Sequence, residues 1–224
     1  MQNTSFKEAF TTKKEVFIYF HHSLASMRPE QKVLKAYFDQ RTTRLYFNQL
    51  KRLSLLGDSS LSATLKKLQE QRLLIKEQQT ALTYYRLTTI PSSFISFDQE
   101  RYQQLPKEVR YPLQAFLDKA PSQLHSILLF GSSSRSEHRK QSDIDLLIIT
   151  HYFDDPELQE RYEKTITKHL HDAKRFANAQ SNHSLSLFII TTKDLKEPDA
   201  LTKQALTTGF PIKGHQQFYD EARA

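Results

Sequence analysis

The chain has no cysteine and no tryptophan, and its 224 residues include only four glycines and two methionines. Without cysteine there is no disulfide, no thiolate chemistry and no cysteine-ligated zinc, which is compatible with a reducing compartment. No apolar run approaches the length needed to cross a bilayer, and the polar start "MQNTSFKEAFTTKKE" lacks the apolar segment of a secretory signal. The expectation is a cytoplasmic protein without membrane contact. At this length one large domain or two small ones would bury an adequate core.

The net charge of +7 is unevenly distributed. Residues 1–90 hold 15 Lys and Arg against 7 Asp and Glu, a net of +8, whereas residues 91–224 hold 17 against 18, a net of −1. A basic segment joined to a near-neutral one points the first part at a polyanion, with nucleic acid as the leading candidate.

Residues 30–90 read as three helices and a hairpin. In "PEQKVLKAYFD" the residues Val33, Leu34, Tyr37 and Phe38 share a helical face, and "LYFNQLKRL" repeats the pattern with Leu45, Leu50 and Leu53. After "SLLG", Asp58 or Ser59 is a candidate cap for a third helix with Leu61, Leu65 and Leu68 inward. That leaves Ser59, Ser62, Lys66 and Lys67 toward solvent. "LLIKEQQ" and "LTYYRLT" then read as two antiparallel strands, with Tyr84 and Tyr85 on opposite faces. This order resembles the winged helix-turn-helix family from Glu30 to about Thr89. The resemblance implies that the third helix, through Ser59, Ser62, Lys66 and Lys67, enters the major groove of double-stranded DNA, and that the turn at Gln78–Ala81 is the wing.

Residues 1–29, with the apolar cluster "VFIYF", form an N-terminal extension that is either a strand or an extra helix. Residues 91–105, within "TTIPSSFISFDQERYQQL", lose clear periodicity and read as a linker. A helix is expected from Pro106 through "KEVRYPLQAFLDKA", disturbed at Pro112 and ended by Pro121. Residues 106–224 form the second domain.

With glycine so scarce, the one that follows "SILLF" is informative. "SILLF" reads as a buried strand, "GSSSRSEHRKQS" as a turn with a short helix or loop, and "DIDLLIIT" as a second strand. Strand alternation puts Asp143 and Asp145 on one face, about 6–7 Å apart at Cα. Two carboxylates at the start of an apolar strand repel each other and resist burial. A hard divalent cation offsets both costs, and Mg²⁺ is suited because it takes oxygen ligands and is completed by substrate phosphates. Gly131 lets backbone approach a ligand, Ser132 and its neighbours offer hydroxyl and amide donors, and Arg135 adds a bidentate phosphate donor. The P-loop pattern is absent, so this is a different phosphate-and-metal arrangement. His138, Arg139 and Lys140 in the same loop are further candidates for phosphate contact.

Gly131-Ser132, ten intervening residues and Asp143-Ile144-Asp145 followed by "LLII" resemble the DNA polymerase β-type nucleotidyltransferase superfamily. They are most similar to its minimal members with a GSx10DxD signature, over about Pro121 to Phe218. The resemblance implies an α+β domain whose mixed sheet is flanked by helices. It also implies a nucleoside triphosphate held by Gly131 and Ser132, and one or two Mg²⁺ ions on Asp143 and Asp145. The reaction would be transfer of a nucleoside monophosphate to a hydroxyl. Active members usually carry a third carboxylate on a later strand. The matching strand, "HSLSLFIIT", has Ser184 and Ser186 in that region, with Asp194 and Glu197 beyond it. Three functions are therefore carried forward: a nucleotidyltransferase with a DNA-binding winged helix, a DNA-binding regulator whose degenerate transferase domain senses nucleotide, and an antitoxin-like enzyme that modifies a partner protein. A second copy of the chain is a further candidate partner.

After this domain's first two strands, Asp155-Pro156 is expected to start a helix with Leu158, Tyr162, Ile166, Ala173 and Ala177 inward. A last helix over Pro198–Thr208 is expected to end at Gly209, before a short strand in "FPIKG". The nine histidines form no chelating pair, since His169 and His171 face different directions on a helix and His21 and His22 are adjacent.

Overall fold

The computed structural model describes residues 26–79, 82–135 and 143–221, except for the side chain of Arg135. The expectations for the N-terminal extension before residue 26, for the tip of the wing, and for His138, Arg139 and Lys140 lie outside these residues. The chain divides into two compact units, residues 1–94 and 95–224.

The first unit runs α1 (Pro29–Gln40), β1 (Arg44–Tyr46), α2 (Phe47–Ser54), α3 (Asp58–Glu70), β2 (Leu74–Gln79) and β3 (Leu82–Leu87). The three strands form an antiparallel sheet in the order β1-β3-β2. The apolar stripes meet as their spacing requires: Val33 and Tyr37 of α1, Leu50 of α2, and Leu61, Leu65 and Leu68 of α3 are all essentially inaccessible. Tyr37 crosses this core to donate its hydroxyl to the Tyr85 carbonyl at 2.9 Å, and burial pushes its phenol well above the usual tyrosine range. Tyr85 is buried, whereas Tyr84 faces the other side of the sheet beneath the Arg44 guanidinium, 4.0 Å from its ring centroid.

Two expectations here need correction. Leu45 is not helical; it lies on β1 opposite Tyr85, because a short edge strand buries it as well as a helix would. Neither Asp58 nor Ser59 caps α3. The cap is Gly57 in an extended conformation, and Asp58 is the first helical residue, where a carboxylate still favours the positive end of the helix.

Within residues 91–105, read from the sequence as a linker, the chain forms α4 over Ser93–Gln103. Its sequence shows no clear stripe, yet Phe94, Phe97 and Asp98 are buried, and the Tyr219 hydroxyl donates to Asp98. Here tertiary burial outweighs a weak local pattern.

The second unit continues with α5 (Lys107–Lys119), β4 (Ser126–Phe130), β5 (Ile144–Thr150), α6 (Pro156–Asn178), β6 (Leu185–Thr191), α7 (Ala200–Thr208), β7 (Phe210–Lys213) and α8 (His215–Glu221). Its sheet is mixed, in the order β6-β5-β4-β7, with β5 and β6 parallel and the other pairs antiparallel. The 23-residue helix α6 makes the crossover that a parallel pair needs. On one face Ile127, Leu129, Ile144, Leu146 and Ile148 share a core with Val109, Leu113 and Phe116 of α5 and with Ile166, Leu170 and Ala173 of α6. On the other face Leu128, Phe130, Leu147 and Ile149 are buried as well, and α7 and α8 contact β4. Burial on both faces explains why β4 and β5 read as continuous apolar runs. The fold is thus α+β, a mixed sheet flanked by helices. No described helix is long and apolar enough to cross a membrane.

Three details of this unit differ from expectation. Pro106 precedes α5 as its cap, and Pro112 sits buried inside the helix. Leu158 is exposed, and Leu170 completes the inward stripe of α6 in its place. Gly209 does end α7, but at φ −79° rather than in a left-handed turn. A Cβ there would come within 2.5 Å of the Ala205 carbonyl oxygen and 2.8 Å of that of Leu129, so close backbone approach is what demands glycine.

Candidate active site

Glycine and the two acids meet at one end of the β4/β5 pair. The antiparallel register sets Phe130 opposite Asp145, so the residue that follows β4, Gly131, lies beside the start of β5. Gly131 adopts φ +71°, which turns the chain sharply out of the strand. A Cβ at this position would lie 2.3 Å from Asp145 Oδ2. Only glycine lets the carboxylate occupy that space.

The turn after Gly131 is held from several sides. Ser133–Arg135 form a single 3₁₀ turn, in which Ser133 and Ser134 are buried. The Ser134 hydroxyl lies 2.9 Å from the Gly131 carbonyl and 3.3 Å from that of Thr208 at the end of α7, both acceptors. Arg101 of α4 donates to the Ser134 carbonyl at 2.6 Å while its guanidinium stacks on Phe210, 4.3 Å from the ring centroid. Arg101 carries no signal of its own in the sequence, because it falls in the stretch without periodicity. Ser134 stands out there only as one serine of three.

The acids occupy unequal environments. Asp145 is half-buried, and burial first, then the negative charge of Asp143, pushes its carboxyl above the usual aspartate range. Asp143 precedes β5 and is exposed. Its Oδ2 accepts from the Ser186 hydroxyl at 3.1 Å. Ser186 stands opposite Asp145 in the parallel β5/β6 register, so two carboxylates and one hydroxyl converge across two adjacent strands. The described residues contain no group of three or more His, Asp or Glu side chains placed to share a metal. Asp194 is engaged elsewhere: its Oδ2 accepts from the backbone N–H and the hydroxyl of Thr191, at the opposite end of β6.

The donor set is made of oxygen alone. Two carboxylates, one poorly solvated, suit a hard divalent cation that retains waters or takes phosphate oxygens to complete its shell. Gly131 and Ser132 of the turn adjoin that position; Ser132 is partly exposed.

The residues proposed for nucleic acid lie on α3 in the first unit. Ser59, Ser62 and Lys66 are exposed along one face. Lys67, exposed as well, forms an ion pair with Glu30 of α1, and that hydrogen bond holds the Glu30 carboxyl below its usual range.

A family model for the nucleotidyltransferase domain matches residues 112–178, from Pro112 in α5 to the end of α6. The match includes Gly131, Ser132, Asp143 and Asp145. No curated protein matches the chain. Among solved structures, one described as "Crystal structure of the toxin-antitoxin with AMP-PNP" is 22% identical and covers 51% of this chain and 81% of its own. Its TM-score is 0.29. On the family match, the second unit of this chain contains a nucleotidyltransferase domain over residues 112–178.

Proposed function

We propose that the second unit transfers a nucleoside monophosphate from a nucleoside triphosphate to a hydroxyl acceptor, and that the first unit is a winged helix that docks on double-stranded DNA. The observation that carries the enzymatic reading is the packing of Asp145 against Gly131, with Asp143 beside it. This places a carboxylate pair, of which Asp145 is poorly solvated and Asp143 exposed, against the mouth of a serine-lined turn. Mg²⁺ fits this oxygen donor set, with Asp143 and Asp145 as its protein ligands; when bound it would neutralise charge on the triphosphate and on the group being transferred.

The chain's own residues position the reactants. The backbone at Gly131 and the Ser132 hydroxyl bind phosphate oxygens, and Arg135 adds a guanidinium. Arg101 and Ser134 keep the turn in shape. The acceptor oxygen attacks the α-phosphorus, the bond from that phosphorus to the bridging oxygen breaks, and pyrophosphate leaves with the electron pair. The acceptor's proton passes to solvent.

For the DNA reading, support comes from the order helix, strand, two helices, hairpin, from the exposed Ser59, Ser62 and Lys66, and from the +8 charge of residues 1–90. A second reading, nucleotide binding without transfer, is favoured by Ser186 standing where a third carboxylate would complete the site.

Incubation with α-labelled nucleotides and Mg²⁺ separates the two. Transfer of label to protein or nucleic acid, lost in Asp143→Asn and Asp145→Asn, supports the enzyme. Equal labelling of wild type and both variants removes it, and binding without labelling selects the sensor.

A further inference from the structure

The two acids are held in place by different means. Asp145 belongs to β5, is half-buried and is wedged against Gly131. Asp143 lies one residue before the strand and is exposed, although the backbone N–H of Ile144 is tied to the Ser184 carbonyl of β6 at 2.9 Å. The Asp143 carboxylate is held at one oxygen by the Ser186 hydroxyl, 3.1 Å away. Ser186 is itself fixed, because its strand pairs with β5 over all seven residues from Ile144↔Leu185 to Thr150↔Thr191. Like-charge repulsion from Asp145 pushes the Asp143 side chain toward water. A hydroxyl on a rigid neighbouring strand opposes that drift.

We propose that Ser186 is the positioning residue that holds Asp143 in the orientation in which both carboxylates grip one divalent cation. This inference rests on the metal-binding reading of the two acids. Ser186 acts through Asp143 and is not itself counted as a ligand. Its place in the register has two consequences. Removing the hydroxyl frees Asp143 and weakens cation binding about tenfold, at the lower end of the range for groups that orient metal ligands. Placing a carboxylate at position 186 puts a third negative side chain next to Asp145 and within reach of Asp143. Cation affinity then rises about tenfold, since hard-cation sites gain affinity with ligand charge.

The test is Mn²⁺ binding by the full chain, read from the loss of the free-ion paramagnetic resonance signal, with and without ATP. It compares wild type with Ser186→Ala, Ser186→Thr and Ser186→Asp, each checked by circular dichroism for an unchanged fold. The expected order of affinity is Asp, then wild type and Thr together, then Ala. Equal affinity of wild type and Ser186→Ala would overturn the positioning role while leaving the metal reading intact. Equal weakening in Ala and Thr would also overturn it, since the hydroxyl would then not be what matters. A Ser186→Asp variant that binds no tighter than wild type would contradict the placement. If wild type binds no Mn²⁺ with or without ATP, the metal reading itself fails and the positioning role with it.

Discussion

Asp145 shows how a single residue can be arranged at the expense of folding. Its carboxyl is pushed up by burial and by Asp143, so the ionised form is held in an environment that disfavours it. A carboxyl raised in the folded state contributes stability that is full below its unfolded value, about 3.9, and is lost as pH rises through the higher folded value. Near neutrality Asp145 therefore works against folding when no cation is present. Asp145→Asn should melt at a higher temperature than wild type at pH about 7, with the gap closing as pH falls toward about 4. Thermal melts followed by circular dichroism check this. In Mg²⁺ and nucleotide the order should reverse, because only the wild type gains binding energy from the ligand. At this scale the sequence is informative: Gly131, Asp143 and Asp145 can be picked out from spacing and scarcity alone. The contact of Asp145 with the Gly131 backbone, and the bond from Ser186 to Asp143, depend on strand register and cannot.

Helices and strands whose apolar period is strong, α3, β2, β3, β4, β5 and α6 among them, are legible in the sequence because burial and local pattern agree. Elements fixed by tertiary contacts are not. β1 is three residues long and takes Leu45 out of an expected helix. In α4 the buried Phe94, Phe97 and Asp98 keep helical spacing, but an acid inside the stripe hides the pattern, and the clamp of Arg101 on the Gly131 turn is hidden with it. The face of α3 is legible, but not the ion pair that ties the exposed Lys67 to Glu30 of α1. That ion pair changes what mutation should do. If α3 enters a DNA groove, Lys66→Ala should lower the slope of log affinity against log salt by about 1. Lys67→Ala should alter the slope less, because its charge is held close by Glu30, whereas Lys66 meets Glu70 only at 4.0 Å on an exposed face. Fluorescence anisotropy on a labelled duplex across a salt series measures both, and equal slopes in wild type and Lys66→Ala would count against groove docking.

Across the whole chain, the basic excess and the carboxylate pair are kept apart. The first 90 residues hold the entire positive excess, while the carboxylate pair and the matched nucleotidyltransferase segment lie in the near-neutral remainder. The division into units at residues 94 and 95 follows the same partition. Both the basic excess and the Gly-Ser and Asp-Ile-Asp spacing can be read from the amino-acid sequence alone. The mixed order β6-β5-β4-β7 cannot, because pairing between distant strands leaves no local signal. That order brings Ser186 to the acids and so decides the composition of the site. The claim on which the rest depends is that this end of the sheet holds a nucleoside triphosphate through a divalent cation. Calorimetric titration of ATP, CTP, GTP and UTP into the full chain, with and without Mg²⁺, tests it directly. The account predicts binding of at least one nucleotide that requires Mg²⁺ and disappears in Asp143→Asn and Asp145→Asn. Binding that is indifferent to Mg²⁺ and to both substitutions, or no binding of any nucleotide, would contradict it.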